Sequence, residues 1–255
     1  MSSFTVYTYQ FAPISDYIGQ YFSLFPENDV SVESVLMGKQ QAFQSLSYDC
    51  TFTPQLPEGC DLREERILLH CCCAPCSTAI IEWMVSQGLR PAVFFSNSNI
   101  IPFEEYELRR SELERYCKSF GLEVIDDEYD HSTWLDTLCG NLGTDPAGLA
   151  AIPERGPRCL ECFRFRLVRA AAYAEGNGYT ILTTTLASSR WKDLAQVDVA
   201  GKYACSFGGG GKGKVKWWNQ NWRKGGLQER RNFLIKSCGI YNQTYCGCEF
   251  SEHHG

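Results

Sequence analysis

The sequence predicts an α/β fold, a mostly parallel sheet covered by helices on both faces. From Arg66 onward, short apolar runs of strand length alternate with longer stretches of helical period. Gly or Pro marks many of the boundaries between them. The chain has 255 residues, 44% of them hydrophobic, which suits one large α/β domain with an extension.

Ile67–Cys71 (ILLHC) reads as a buried strand, and Ser77 to Gln87 as a helix that Gly88 ends. Pro91 to Ser96 is a second strand. Pro102 opens a long helix through Phe120, with Gly121 as its stop and a charged face around Glu104, Arg109 and Glu112. Leu122 to Ile125 is a third strand, followed by a helical stretch near Trp134 and a Gly/Pro-rich loop from Gly140 to Pro157. A strong helix covers Glu161 to Gly176, and Tyr179 to Thr184 is the next strand. A helix around Ser188 to Tyr203, a short strand at Val215 to Trp218 and a last helix at Leu227 to Ser237 complete the order. In sheets of this kind ligands sit beyond the carboxyl ends of the strands. Cys71 to Cys76 lies at such a place, between the first strand and its helix.

The first sixty residues differ from the rest: rich in Phe, Tyr and Ser, poor in charge, without a long periodic segment. Phe4 to Phe25 is too aromatic for a disordered tail. Residues 1–60 are therefore expected to be an arm packed on an α/β domain spanning 61–255.

Fourteen cysteines are the feature to explain. A secreted disulfide scaffold would be shorter and would begin with a signal peptide. Here the first basic residue is Lys39, so the charged start of a signal or transit peptide is not expected. No run of about 18 apolar residues is present to span a bilayer. The expectation is a cytoplasmic chain with no membrane partner, where clustered thiols point to metal or redox chemistry. The net charge of −6 argues weakly against nucleic acid, although a sum over the chain can hide a local patch.

Cys71, Cys72, Cys73 and Cys76 fall within six residues at a strand-to-helix turn. A helix N-terminus stabilises a thiolate there. Cys159-Leu160-Glu161-Cys162 repeats the arrangement at another helix start, so the two groups can converge on one metal centre. An iron–sulfur cluster and a four-cysteine structural zinc site are both compatible with that donor set. Cys73-Ala74-Pro75-Cys76 also matches the thioredoxin-type C-x-x-C, but that reading leaves Cys159, Cys162, Cys246 and Cys248 without a purpose. Cys246-Gly247-Cys248 can form an easily reduced disulfide or offer two soft ligands. Cys117 and Cys205 fit buried, unreactive thiols.

Gly208 to Lys214 meets the start of the phosphate-cradling G-x-x-x-x-G-K pattern, then places Val215 where Ser or Thr is required, ahead of a strand-like Lys-Trp-Trp. It reads as a flexible loop. Between Lys202 and Arg231 lie Lys212, Lys214, Lys216, Arg223, Lys224 and Arg230, with Trp217, Trp218 and Trp222 among them. Bases with exposed aromatics make a single-stranded RNA surface, and a solvated loop over core tryptophans is the competing reading.

Several motifs together resemble the cobalamin-independent epoxyqueuosine reductases. They are the His70 to Cys76 turn, Asn99 to Tyr106 (NIIPFEEY), Tyr129-Asp130, Arg158 to Cys162 (RCLEC), Thr183 to Leu186 (TTTL) and Tyr245 to Cys248 (YCGC). The likeness runs from about Arg66 to Ser251. It implies a fold of the adenine-nucleotide α-hydrolase type, a three-layer αβα sandwich. It also implies reduction of epoxyqueuosine to queuosine in the tRNA anticodon stem-loop, the last step of that modification. By the same resemblance a 4Fe-4S cluster would be held by Cys72, Cys73, Cys159 and Cys162, and Cys246 and Cys248 would be a redox-active pair. A second, mononuclear iron is implied as well, with Cys76 and Asp130 as candidate ligands. Asp130, His131 and Tyr129 are candidate proton sources, and the basic Trp-rich face would grip the RNA. The electron donor is not specified by the residues.

Overall fold

Ile67–Cys71 (β1) is the central strand, and all five of its residues are buried. The computed structural model describes residues 51–208 and 214–251. Phe4 to Phe25 and most of the Gly208 to Lys214 loop lie outside the described residues. The other strands are Ala92–Phe95 (β2), Val124–Asp126 (β3), Ile181–Thr184 (β4) and Lys216–Trp217 (β5). They form one sheet of order β3-β2-β1-β4-β5, and every pairing is parallel. Strands buried on both faces read as continuous apolar runs, which is why ILLHC and ILTT lack a polar alternation.

The helices are Ala74–Ser86 (α1), Phe103–Lys118 (α2), His131–Leu142 (α3), Pro146–Ala151 (α4), Pro157–Gly176 (α5), Leu194–Tyr203 (α6) and Leu227–Ser237 (α7). Helix α1 packs against α2 and α7, and α5 packs against α3 and α6, which gives a helical layer on each side of the sheet. The result is the expected αβα sandwich. Chain order runs outward from β1 to β3 and then returns to β4 on the other side of β1. This reversal opens a crevice at the carboxyl ends of β1 and β4.

Several elements differ from the sequence reading, each for a local reason. Helix α1 begins at Ala74, three residues before the expected Ser77, because Pro75 is tolerated in a first turn. Helix α5 likewise begins at Pro157 and not at Glu161, which places Cys159 and Cys162 inside its opening turns. The Gly140 to Pro157 stretch holds the short helix α4, started by the Asp145 carboxylate accepting from the Gly148 N–H at 2.8 Å. In place of one helix from Ser188, Thr185–Ser188 forms a 3-10 turn and α6 starts only after Asp193, whose carboxylate accepts from the N–H groups of Ala195 and Gln196.

Residues 51–60 lie against the sheet domain. Phe52 packs on Trp83 and Trp222, with ring centroids 5.0 and 5.2 Å away. Gly225, at φ +62°, sits so close to the Phe52 backbone that a Cβ would fall 2.4 Å from its Cα. On the same side Arg230 makes a two-pronged pair with Glu82 at 2.6 and 2.7 Å, joining α7 to α1 inside the protein. Among the described residues no helix is long and apolar enough to cross a membrane.

Candidate metal and redox site

Strand β1 ends at Cys71 and α1 begins at Ala74, so Cys72 and Cys73 occupy the turn at the crevice mouth. The end of β4 holds that turn in place. The Cys72 N–H donates to Thr185 Oγ1 at 3.1 Å, and the Thr185 hydroxyl lies 3.6 Å from Cys72 Sγ. Ser77 Oγ donates to the Cys73 carbonyl at 2.7 Å. The sulfurs of Cys72 and Cys73 are 3.7 Å apart, and those of Cys72, Cys73 and Cys76 all lie within 4.8 Å of one another. This buried trio can hold a metal ion. Cys71 is not part of it: it is fully buried, and desolvation pushes its thiol well above the ordinary range.

A cavity of about 110 Å³ opens in front of the trio. Its lining also includes Cys159 and Cys162 from α5 and Cys246 and Cys248 from the tail, so the fold brings all three cysteine groups to one place. The two donors on α5 are desolvated. Burial raises the Cys159 thiol to about 11, while the Arg155 backbone N–H, 3.3 Å from its sulfur, opposes the rise. Burial raises Cys162 too, with the Arg166 charge and the Trp134 indole pulling the other way. In the trio, hydrogen bonds from Cys73 and Cys76 hold Cys72 well below the ordinary thiol range. The bond to Cys72 in turn raises Cys73 to about 11 and drives Cys76 well up. The three thiols therefore titrate as a coupled group, in which the thiolate on Cys72 is favoured by its two neighbours.

Arg109, which is only 2% exposed, clamps the tail from α2. It is paired with Glu105 at 2.6 Å and donates to the carbonyls of Cys246 at 2.8 Å and Tyr245 at 3.4 Å. The Ile101 N–H donates to the Gly247 carbonyl at 2.9 Å. Gly247 has φ +99°, a backbone that strains any side chain, and a Cβ there would press on the Arg109 guanidinium at 3.0 Å. The clamp directs Cys246 Sγ to Lys192 Nζ, 3.4 Å away. Burial pushes the Cys246 thiol up, but Lys192, Arg166 and Arg109 outweigh it and hold the thiol below its ordinary value. Cys248 is driven far up by burial and by the charges of Cys246 and Cys162. Both are free thiols.

Asp130, Tyr129 and His131 are not among the residues lining the cavity. Asp130 is the N-cap of α3. Its carboxylate accepts from the Thr133 N–H at 2.9 Å, the Ser132 hydroxyl at 2.8 Å and the Thr133 hydroxyl at 2.6 Å, and these bonds lower its pKa to about 2. Tyr129 donates to the Ile100 carbonyl, and His131 bridges the Ser98 carbonyl and Glu249.

The cations that act on Cys246, Lys192, Arg166 and Arg109, are not singled out by sequence reasoning, which places Arg109 on a charged helical face. Yet Tyr106, Arg109, Leu113 and Tyr116 are buried together at steps of three and four, so the periodicity alone puts Arg109 on the inner side of α2. Lys192 carries no comparable signal.

The stacking role expected of the tryptophans between Lys202 and Arg231 is corrected, and the alternative of core tryptophans holds for Trp218 and Trp222. Trp218 and Trp222 are 0% and 1% exposed and pack on each other, so they cannot stack on bases. Trp217 is partly buried, with its N–H bonded to Asp198 at 2.9 Å. Lys216 pairs with Glu65, and Arg223 donates to the Ser189 and Lys192 carbonyls. Of the exposed aromatics, Trp191 stands at the cavity rim, half-exposed, beside Arg190.

The family described as "Epoxyqueuosine reductase QueH" matches residues 67–254, from the start of β1 to the tail. The chain belongs to this family. An epoxyqueuosine reductase QueH of Haemophilus influenzae is 38% identical over 197 residues, 77% of this chain and 74% of that protein. Those of Acinetobacter baylyi and Thermotoga maritima are 36% and 34% identical, covering 77% and 72% of this chain and 83% and 89% of theirs. The matched span of the QueH family holds all seven cavity cysteines, whereas residues 1–66 lie outside it.

Proposed function

We propose that this chain reduces epoxyqueuosine to queuosine in tRNA. The carrying observation is the convergence of seven cysteines from three distant segments on one cavity, in a chain of the QueH family. The soft, largely buried donor set suits iron–sulfur ligation. Cys72, Cys73, Cys159 and Cys162 would hold a 4Fe-4S cluster, and Cys76 is the further donor beside them for a mononuclear iron. Asp130 would serve as a ligand only by giving up its helix cap. Once bound, the cluster supplies electrons one at a time, and an iron with an open position polarises an oxygen.

Loss of the epoxide oxygen as water, leaving an alkene, consumes two electrons and two protons. Oxidation of the Cys246–Cys248 pair to a disulfide releases the two electrons; with Cys246 already a thiolate, Cys248 gives up one proton and solvent supplies the second, so the two half-reactions balance. In this reading Lys192 keeps Cys246 ionised, and Arg109 holds the tail over the cavity. An external electron donor then reduces the disulfide. The basic rim with Trp191 would receive the anticodon stem-loop.

The test is anaerobic purification with iron and sulfide analysis, followed by an assay on tRNA bearing epoxyqueuosine. A brown protein absorbing near ~400 nm that converts the epoxide supports the proposal. A colourless zinc protein that binds tRNA without turnover refutes it, and activity in metal-free protein would indicate thiol chemistry alone.

A further inference from the structure

We propose that the indole N–H of Trp134 donates a hydrogen bond to the sulfur of Cys162 in the metal-loaded protein and thereby raises the reduction potential of the centre. The inference rests on the reading of Cys162 as a cluster ligand.

Trp134 lies on α3, is 0% exposed and lines the cavity. Its ring is fixed by the His131 imidazole stacked 5.1 Å away and by Phe250 at 6.4 Å. It shares a small buried cluster with Leu138, Leu149 and Cys162. An indole nitrogen can only donate, and Nε1 of Trp134 has no partner in hydrogen-bond geometry among the described residues. A buried donor left unpaired is costly, and burial alone would be served by a phenyl ring. Of the buried members of that cluster, Cys162 is the one whose side chain can accept, and it lines the same cavity. A neutral thiol is a weak acceptor, whereas a metal-bound thiolate is a strong one, so loading the metal supplies the missing partner.

The neighbouring donors follow the same pattern. The sulfur of Cys159 faces the Arg155 N–H at 3.3 Å, and that of Cys72 faces the Thr185 hydroxyl at 3.6 Å. Trp134 would give Cys162 the equivalent contact once the metal is bound, from a rigid side chain. Hydrogen bonds to ligand sulfur withdraw charge and favour the reduced, more negative state, which moves the potential upward.

Two replacements separate the N–H from the packing. Trp134→Phe removes the donor and part of the ring. Incorporating β-(3-benzothienyl)alanine at position 134 keeps the ring system and puts sulfur where the N–H was. The full-length protein is prepared anaerobically, its iron and sulfide are counted, and its midpoint potential is read by an EPR-monitored redox titration. The expected result is wild-type iron and sulfide in the isostere, with a potential more negative than wild type, and a shift of the same sign in Trp134→Phe. An unchanged potential in a fully loaded isostere overturns the inference. If Trp134→Phe loses iron, the isostere decides. An isostere that cannot hold iron, beside a wild type that can, also overturns it, because the N–H is then needed for assembly and not for tuning. A wild-type protein without iron and sulfide refutes the proposed function itself.

Discussion

Lys192 Nζ lies 3.4 Å from Cys246 Sγ, and this contact sets one tail thiol apart from the other cysteines of the cavity. The lysine offsets the desolvation that would otherwise keep Cys246 protonated. Replacing Lys192 with Met should therefore raise the thiol pKa. Alkylation of Cys246, followed by peptide mass spectrometry, should slow roughly tenfold for each unit of that rise. The difference should vanish at a pH above the raised value, where both proteins are thiolate. Lys192→Arg should restore most of the rate. A pH profile identical to wild type in the Met variant would show that the contact does not control ionisation.

Individual replacement of Cys72, Cys73, Cys159 or Cys162 by Ser should leave a folded protein depleted in iron and sulfide. Cys71→Ala should retain both, because Cys71 is buried in the sheet core and takes no part in the trio. Metal analysis checks the contrast. Full iron in all four Ser variants would remove these residues from the ligand set.

The tail pair should serve turnover without holding the cluster. A Cys246→Ser, Cys248→Ser double variant should keep its iron and lose epoxide reduction. Gly247→Ala should give a similar but partial loss, since an added Cβ meets the Arg109 guanidinium and strains a left-handed backbone. Loss of iron in the double variant would make these residues ligands, and surviving activity would reduce them to packing.

Replacing Trp222 with Ala should cost about 3–5 kcal/mol in urea unfolding, the usual range for a large aromatic removed from a packed core. It should leave the salt dependence of tRNA binding unchanged. Arg190→Ala with Arg231→Ala, beside the cavity, should instead lower the salt slope by about 0.7–0.9 for each phosphate no longer neutralised, with little effect on folding. Binding titrations across a salt series distinguish the two. A slope unchanged in the arginine variant would place the RNA elsewhere.

The order of strands and helices is legible from residue patterns because it is local: apolar period, Gly and Pro punctuation and helix-start chemistry act over a few residues. The helix Leu227–Ser237 has the limits the sequence indicates, and the cysteine groups at the openings of α1 and α5 are apparent from spacing alone. Only the tertiary structure decided which groups meet. The chain reverses across β1 and returns to β4, bringing segments near residues 72, 159 and 246 to one crevice, and no local pattern encodes that distance. Burial was decided there too. Basic residues interleaved with tryptophans have the composition of a nucleic-acid surface, but Trp218 and Trp222 fill the core beside Trp83, and Arg109 turns inward to the tail. A side chain's role depends on what covers it, and the covering residues come from elements far away in sequence.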